Sequence, residues 1–293
     1  MDRVVLGRPC YSFYVRFMII IADSGSTKTA WRLLAGPGHI EQGQTIGLNP
    51  HRVSADDFTT ALQETGIGAW NHLPITKVYF YSAGITNIRM QEKVMAWLQP
   101  WFAKAAIITA SDLLGAARAA YHHGQGIIGI LGTGSNSGYY NGHEISPRIP
   151  ALGYLLGDEG SGNALGKRLA TAYLRHSLPE SLTAEFEAFY PEHDHLLNNL
   201  YATAQPGRLL ASLVPFLRQN LQHQYIAALV REEFNRYFRL LQTYAQRPVA
   251  LAGSVAYYFQ EIIREVAPLH QVDVVKIIKS PIDDLVVFHQ QEL

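Results

Sequence analysis

The sequence predicts an α/β protein built as two lobes, and three observations carry that prediction. Its 293 residues, 48% of them hydrophobic, exceed what a single core usually organises. Short apolar runs bounded by turn residues alternate with stretches of helical periodicity. Two of those runs, "IIIADSGSTKT" from residue 19 and "IIGILGTGSNS" from residue 127, pass from a buried strand into a turn rich in glycine and hydroxyls, then re-enter apolar residues.

Taken in order, residues 1–17 carry Arg3, Arg8 and Arg16 without a continuous apolar segment or a small-residue cleavage site. They read as a dispensable leader, with Met18 as the functional start. Strands are expected at 18–22 and 31–35, a helix at 55–66, a strand at 77–82, a helix at 88–103 and a strand at 106–110. A helix at 112–123 follows, then a strand at 127–131 whose partner contains Tyr139-Tyr140. Further helices are expected at 161–176, 208–222 and 225–246, the last with apolar residues at three- and four-residue spacing. A strand at 249–252 and a helix at 255–267 complete the pattern. No low-complexity linker divides the halves, so the boundary is placed near residue 113.

Composition excludes several classes. The 24 basic and 24 acidic residues cancel, and no run of five like charges occurs, which argues against a nucleic-acid partner. The apolar runs fall far short of the ~18 residues needed to cross a bilayer, so no membrane span is expected. A single cysteine, Cys10, rules out an internal disulfide or a multi-cysteine metal site within one chain and fits a reducing cytoplasm.

Both glycine-rich turns expose backbone N–H groups with little side-chain bulk, a surface suited to a polyanion such as phosphate. The second lacks the G-x-x-x-x-G-K-[ST] spacing of a P-loop. Its Gly132, Gly134 and Gly138 also miss the dinucleotide pattern by one residue. The first adds Asp23, the Ser24, Ser26 and Thr27 hydroxyls, and Lys28. A carboxylate beside a triphosphate implies an intervening Mg²⁺, which makes Asp23 the candidate metal residue. A plain hairpin turn would also account for Asp23 and Ser26; the second turn weighs against it.

Together with "GYLLGDEGSG" at 153–162 and "LAGSVA" at 251–256, these turns resemble the N-acetylglucosamine kinase branch of the BadF/BadG/BcrA/BcrD ATPase family. That family lies within the sugar kinase, actin and heat-shock chaperone superfamily, and the resemblance runs from residue 18 to the C-terminus. It implies two ribonuclease-H-like (actin-like ATPase) domains with an interdomain cleft. These would comprise residues 18–112, joined by the tail 280–293, and residues 113–279. It also implies ATP held by Ser24, Gly25, Ser26, Thr27 and Lys28 on one side. Gly132, Thr133, Gly134 and Ser135 would face it from the other, with Gly253 and Ser254 at the adenosine.

Asp112, at the mouth of a strand and the start of a helix, matches the catalytic base of the resembled kinases. A helix-dipole role alone would also suit it. Asn49, Gly84, Gly153 and Asp158, together with Asp112, match sugar-holding positions, and Asn49 equally suits a turn before Pro50. Two departures stand out. Leu131-Gly132 replaces the acid that many superfamily members carry at the second loop, and Leu152 stands where relatives have tryptophan.

The resemblance thus implies an ATP- and Mg²⁺-dependent kinase acting on the 6-hydroxyl of N-acetylglucosamine or a related amino sugar, and it is compatible with a homodimer. An activating ATPase of a 2-hydroxyacyl-CoA dehydratase system would need bridging cysteines, and Cys10 stands alone outside the resembled region. A non-catalytic sugar or nucleotide sensor would have no use for a base. "PEHDH" at 191–195 reads as a solvated loop and the Arg231–Arg239 stretch as a solvated helix face.

Overall fold

The computed structural model describes residues 18–36, 38–146, 149–244 and 247–291. The expected leader and Cys10 lie outside the described residues. Among the described residues, ten strands form two five-stranded mixed sheets. The first contains β1 (Met18–Ser24), β2 (Lys28–Leu34), β3 (Ile40–Ile46), β4 (Ile75–Ser82) and β5 (Ala106–Ser111), in the order β3-β2-β1-β4-β5. The second contains β6 (Gly126–Leu131), β7 (Ser135–Tyr140), β8 (Ile145–Ser146), β9 (Val249–Ala252) and β10 (Val274–Ile278), in the order β10-β9-β6-β7-β8. Each sheet has two antiparallel pairings, made by its first three strands, and two parallel pairings beyond them. The second sheet therefore repeats the first strand for strand, which is the structural content of the echo between the two glycine-rich turns.

Helices α1 (Ala55–Glu64) and α2 (Ile88–Leu98) cover the outer face of the first sheet. Helix α3 (Asp112–Tyr121) lies between the sheets. After α4 (Gly153–Leu156) come α5 (Gly162–Leu174), α6 (Glu180–Phe189), α7 (Leu196–Ala202), α8 (Pro206–Ala211), α9 (Val214–Gln219) and α10 (Gln224–Leu241). Helices α11 (Ser254–Tyr258) and α12 (Gln260–Val266) follow β9, and α13 (Ile282–Gln290) packs on α3, β1 and β2. Layers therefore succeed one another: α1 and α2, the first sheet, α3 with α13, the second sheet, and the α5, α10 and α12 group. This arrangement explains why residues 19–22 form an unbroken apolar run. Ile20 and Ala22 enter the outer core while Ile19 and Ile21 enter the central one, so both faces of β1 are dry.

The expected helix at 208–222 is divided into α8 and α9, and Pro215 starts the second piece because its ring cannot continue a helix from the preceding turn. The stretch at 255–267 is likewise divided at Phe259. Strand β3, "IEQGQTI", was not expected: it is an edge strand, mostly exposed, and carries no apolar run. Among the described residues no helix is long and apolar enough to cross a membrane.

Candidate active site

Strands β1, β4 and β5 run parallel and end in register at Ser24, Ser82 and Ser111, so the chain leaves all three at the same edge of the sheet. Ligand crevices of α/β sheets form at such carboxyl ends. At this edge the first hairpin turns tightly, with Gly25 N donating to Lys28 O at 3.0 Å. Ser26, Thr27 and Lys28 face a cavity, whereas Ser24 is fully buried and faces the opposite way. Leu48 N donates to Ser24 Oγ at 3.0 Å, and Thr29 Oγ1 lies 2.9 Å from that hydroxyl. Ser24 thus pins the 46–48 segment beneath the turn instead of facing a ligand. Gly47 completes the packing: a Cβ there would sit 2.6 Å from Gly25 O and 2.7 Å from the Ser26 carbonyl carbon.

The second hairpin is held differently. The N-terminus of α5, capped by Ser161, lies beneath it, and Gly162 N and Asn163 N donate to Gly132 O (2.8 Å) and Thr133 O (2.9 Å). Gly132 N is used within the turn by Gly134 O. Ser135 N donates to Asp158 Oδ1 at 3.1 Å, while Asp158 Oδ2 accepts from Asn163 Nδ2 at 2.7 Å. Among the described residues, the Thr133 and Gly134 N–H groups have no protein acceptor, which leaves them for a ligand. Asp158 adopts φ 62°, a left-handed conformation uncommon outside glycine, asparagine and aspartate. The chain beside it is fastened by Glu233 of α10, which is wholly buried and accepts from Gly160 N at 3.0 Å and from the Arg168 guanidinium. Glu233 lies within the stretch expected to be a solvated helix face, and it is a buried ion-pair anchor instead. The acid that the second turn lacks locally is thus supplied from the 157–160 segment.

Asp23 and Asp112 line the same cavity, and the charge of Asp112 is felt at Asp23. Burial pushes Asp23 up to about 7, the Asp112 charge adds to that, and Lys28 opposes it. Burial likewise pushes Asp112 up to about 6, although Leu113 N, 2.8 Å away, favours its ionised form. Two half-buried carboxylates lining one cavity, with the charge of Asp112 acting on Asp23, form a site for a cation. No group of three or more His, Cys, Asp or Glu side chains able to hold a metal occurs among the described residues, so a cation here would need phosphate and water oxygens as well.

Two cavities meet at Asp112. The larger, about 700 Å³, is lined by Asp23, the first turn, Gly132, Thr133, Gly253 and Ser254. The smaller, about 450 Å³, is lined by Asn49, Asp112, Gly134, Ser135, Gly153 and Asp158 among others. Gly25, Ser26, Asp112, Ile130, Gly132 and Thr133 belong to both. The residues expected to hold ATP therefore divide: eight of them line the larger cavity, Gly134 and Ser135 line only the smaller, and Ser24 lines neither. Asn49 is buried, caps its own turn through His51 N (2.9 Å) and still faces the smaller cavity. Gly84 stands behind it, where a Cβ would meet Asn49 Oδ1 at 2.3 Å, so its part is to make room. Sequence reasoning missed Asn163. This residue is 2% exposed, its amide nitrogen is committed to Asp158, and its Oδ1 has no partner while the side chain borders the smaller cavity. The "GDEGSG" element immediately before it was the available signal.

No protein-family model and no curated protein matches the chain. Among solved structures, a candidate N-acetylglucosamine kinase from Porphyromonas gingivalis is 34% identical with a TM-score of 0.87, covering 94% of this chain and 99% of that one. The chain belongs to the N-acetylglucosamine kinase-like family. A second candidate kinase of that name, from Chromobacterium violaceum, is 21% identical with a TM-score of 0.70, covering 93% of this chain and 98% of its own. A Streptomyces griseus ROK-family glucokinase, solved with glucose and AMPPNP, shares the fold at 14% identity and a TM-score of 0.54, covering 94% of this chain and 98% of its own. This member of the N-acetylglucosamine kinase-like family thus has the two-domain actin-like kinase fold, and turns of both sheets line its paired cavities.

Proposed function

We propose that this protein is a cytoplasmic, ATP-dependent kinase of the BadF/BadG/BcrA/BcrD branch that phosphorylates the 6-hydroxyl of N-acetylglucosamine or a related amino sugar. The reading rests on one observation above all: Asp112 stands in the wall common to two cavities, one floored by glycine-rich turns and the other lined by amide and carboxylate acceptors. The nucleotide belongs in the larger cavity, with its phosphates on the N–H groups of both turns and on Lys28, and its adenosine beside Gly253 and Ser254. Asp23 would hold Mg²⁺, which would neutralise phosphate charge and keep that carboxylate ionised, leaving Asp112 free to act as a base.

The sugar belongs in the smaller cavity. The Asn163 carbonyl oxygen has no protein partner at the wall of this cavity and offers an acceptor to a ligand hydroxyl or amide N–H, and Asn49 and Gly153 border the same space. Asp112 accepts the 6-hydroxyl proton as that oxygen bonds to the γ-phosphorus and the bond to the β-phosphate bridging oxygen breaks, releasing ADP. Asp158 holds the second turn against the sugar cavity through Ser135 N and Asn163. The identity and the fold shared with the Porphyromonas gingivalis protein support the same reading. Coupled ADP release across a panel of amino sugars tests it: one or more of them should raise turnover well above the sugar-free rate, and an unresponsive ATPase rate overturns the proposal.

A further inference from the structure

Between α5 and α10, in the outermost layer of the second lobe, lies a groove of about 480 Å³ that has no part in the reaction described above. Four cations line it: Lys167, Arg168 and Arg175 from α5 and its C-terminal cap, and Arg236 from α10. Among the described residues no carboxylate lines it. The guanidinium groups of Arg168 and Arg236 lie within reach of each other, because both bond the same oxygen, Glu233 Oε2, with Arg236 Nη1 at 3.4 Å. Glu233 is wholly buried, so it fixes both groups from behind while each commits a single nitrogen to it and keeps further N–H donors. Glu232, 4.0 Å from Arg168, is the other acid paired with this set, and Arg175 has no carboxylate partner among the described residues. Four positive charges thus meet two negative ones above a floor of Ala172, Ala228 and Leu229. A doubly charged head on an apolar body matches that surface.

Two of the cations are tied to the sugar cavity. Lys167 Nζ donates to the carbonyl of Tyr154, a residue of that cavity's wall, and Arg168 holds Glu233, which accepts from Gly160 N beside the Asp158 segment. An anion in the groove competes with Glu233 and with the Tyr154 carbonyl for the same donors and slackens both ties. We infer that the α5–α10 groove binds an organic phosphate monoester, and that its occupancy weakens sugar binding. The site stands apart from the sugar-kinase reading, whereas its effect on the sugar rests on that reading. By linkage, bound sugar weakens the phosphate ester by the same factor.

The probe is phenyl phosphate, with phenol as its uncharged counterpart, titrated by calorimetry into the full chain in the presence of AMPPNP and Mg²⁺. Phenyl phosphate should bind and phenol should not, with an affinity that falls as salt is raised. Arg175→Gln and Arg236→Gln should each lower that affinity about tenfold, while circular dichroism reports an intact fold. Arg175 is exposed, so its replacement spares the core. In steady-state assays phenyl phosphate should raise the sugar KM at least about threefold with little change in kcat, and at the same concentration the rise should be largely lost in Arg175→Gln. No binding, binding that neither substitution weakens, or a sugar KM that does not move overturns the inference and leaves the sugar-kinase reading standing. Absence of ADP release with every amino sugar overturns that reading and with it the effect on the sugar, and the calorimetry still decides the site.

Discussion

The two glycine-rich hairpins occupy equivalent places in duplicated sheets, yet they are held by opposite means. The first carries its acid in its own strand, and its backbone is wedged from below by buried side chains, Ser24 and Thr29, and by the tight approach of Gly47. The second has no acid of its own. It is fixed from outside by the α5 N-terminus, by Asp158 and, one step further back, by Glu233. The Asp23 oxygens, in repulsion with Asp112, suit a cation, whereas both Asp158 oxygens are already committed to protein donors. One topology has thus acquired a reactive side and a scaffolded side, and the contrast separates residues that should affect turnover from residues that should affect shape.

The largest expected effect lies on the reactive side. Asp112→Asn should lower turnover at least about a hundredfold, roughly 3 kcal/mol or more of barrier, with ATP affinity little changed by calorimetry. The same variant should be the more stable protein without nucleotide. Both acids titrate above their ordinary range in the folded state, so their stabilising contribution is complete below pH 3.8 and is lost as pH rises through about 6 and about 7. By thermal melts Asp112→Asn should gain about 1–2 kcal/mol over the native chain at pH 8, and that gap should close toward pH 4. A gain that grows on acidification would contradict the assignment of both shifts to burial.

On the scaffolded side, Glu233→Ala should cost about 2 kcal/mol in denaturant unfolding, because it strands Gly160 N and leaves the Arg168 guanidinium only Glu232, 4.0 Å away. Its kinetic signature should be a raised sugar KM with a smaller change in kcat. Glu233→Gln retains an acceptor for Gly160 N and should recover part of both. An Ala variant with native sugar KM would show that the Asp158 segment does not depend on α10.

The smallest effects compare the turns themselves. In Gly47→Ala the new methyl meets main-chain atoms of the first turn, so we expect a loss of about 1–3 kcal/mol and weaker ATP binding. In Gly134→Ala it meets Asp158 Oδ2 at 2.9 Å, a side-chain atom that yields only by loosening its bond to Asn163, and the loss should be about 1 kcal/mol, less than for a clash with main chain. The reverse order, read from paired melts and nucleotide titrations, would undo the distinction between wedged and scaffolded turns.

The features legible in the sequence were those encoded over a short stretch of chain. Residues 19–22 announce a strand dry on both faces, and Asp112 follows an apolar run and opens a helix. The two turns declare themselves by glycine and hydroxyl content. Features that depend on distant partners were not legible. Ser24 looks identical whether it faces a ligand or Leu48 N, and only the return of the chain after β3 decides between them. Glu233 sits among charges on an amphipathic helix, and its burial follows from Arg168 and Gly160, some seventy residues earlier in the sequence. Asn163 became meaningful once Asp158 had claimed its amide nitrogen.

The middle layer bears on how such a molecule can move. Gly115, Ala116, Ala117 and Ala119 bring α3 close against its neighbours, where a Cβ at Gly115 would already touch the Tyr81 ring at 2.9 Å, and Leu285 and Val286 of α13 fill the rest of the layer. Packing this close leaves nothing to compress, so the walls cannot approach by squeezing the filling. Any change in the width of the crevice would therefore have to be a rotation of the sheets about this layer, which displaces atoms in proportion to their distance from it.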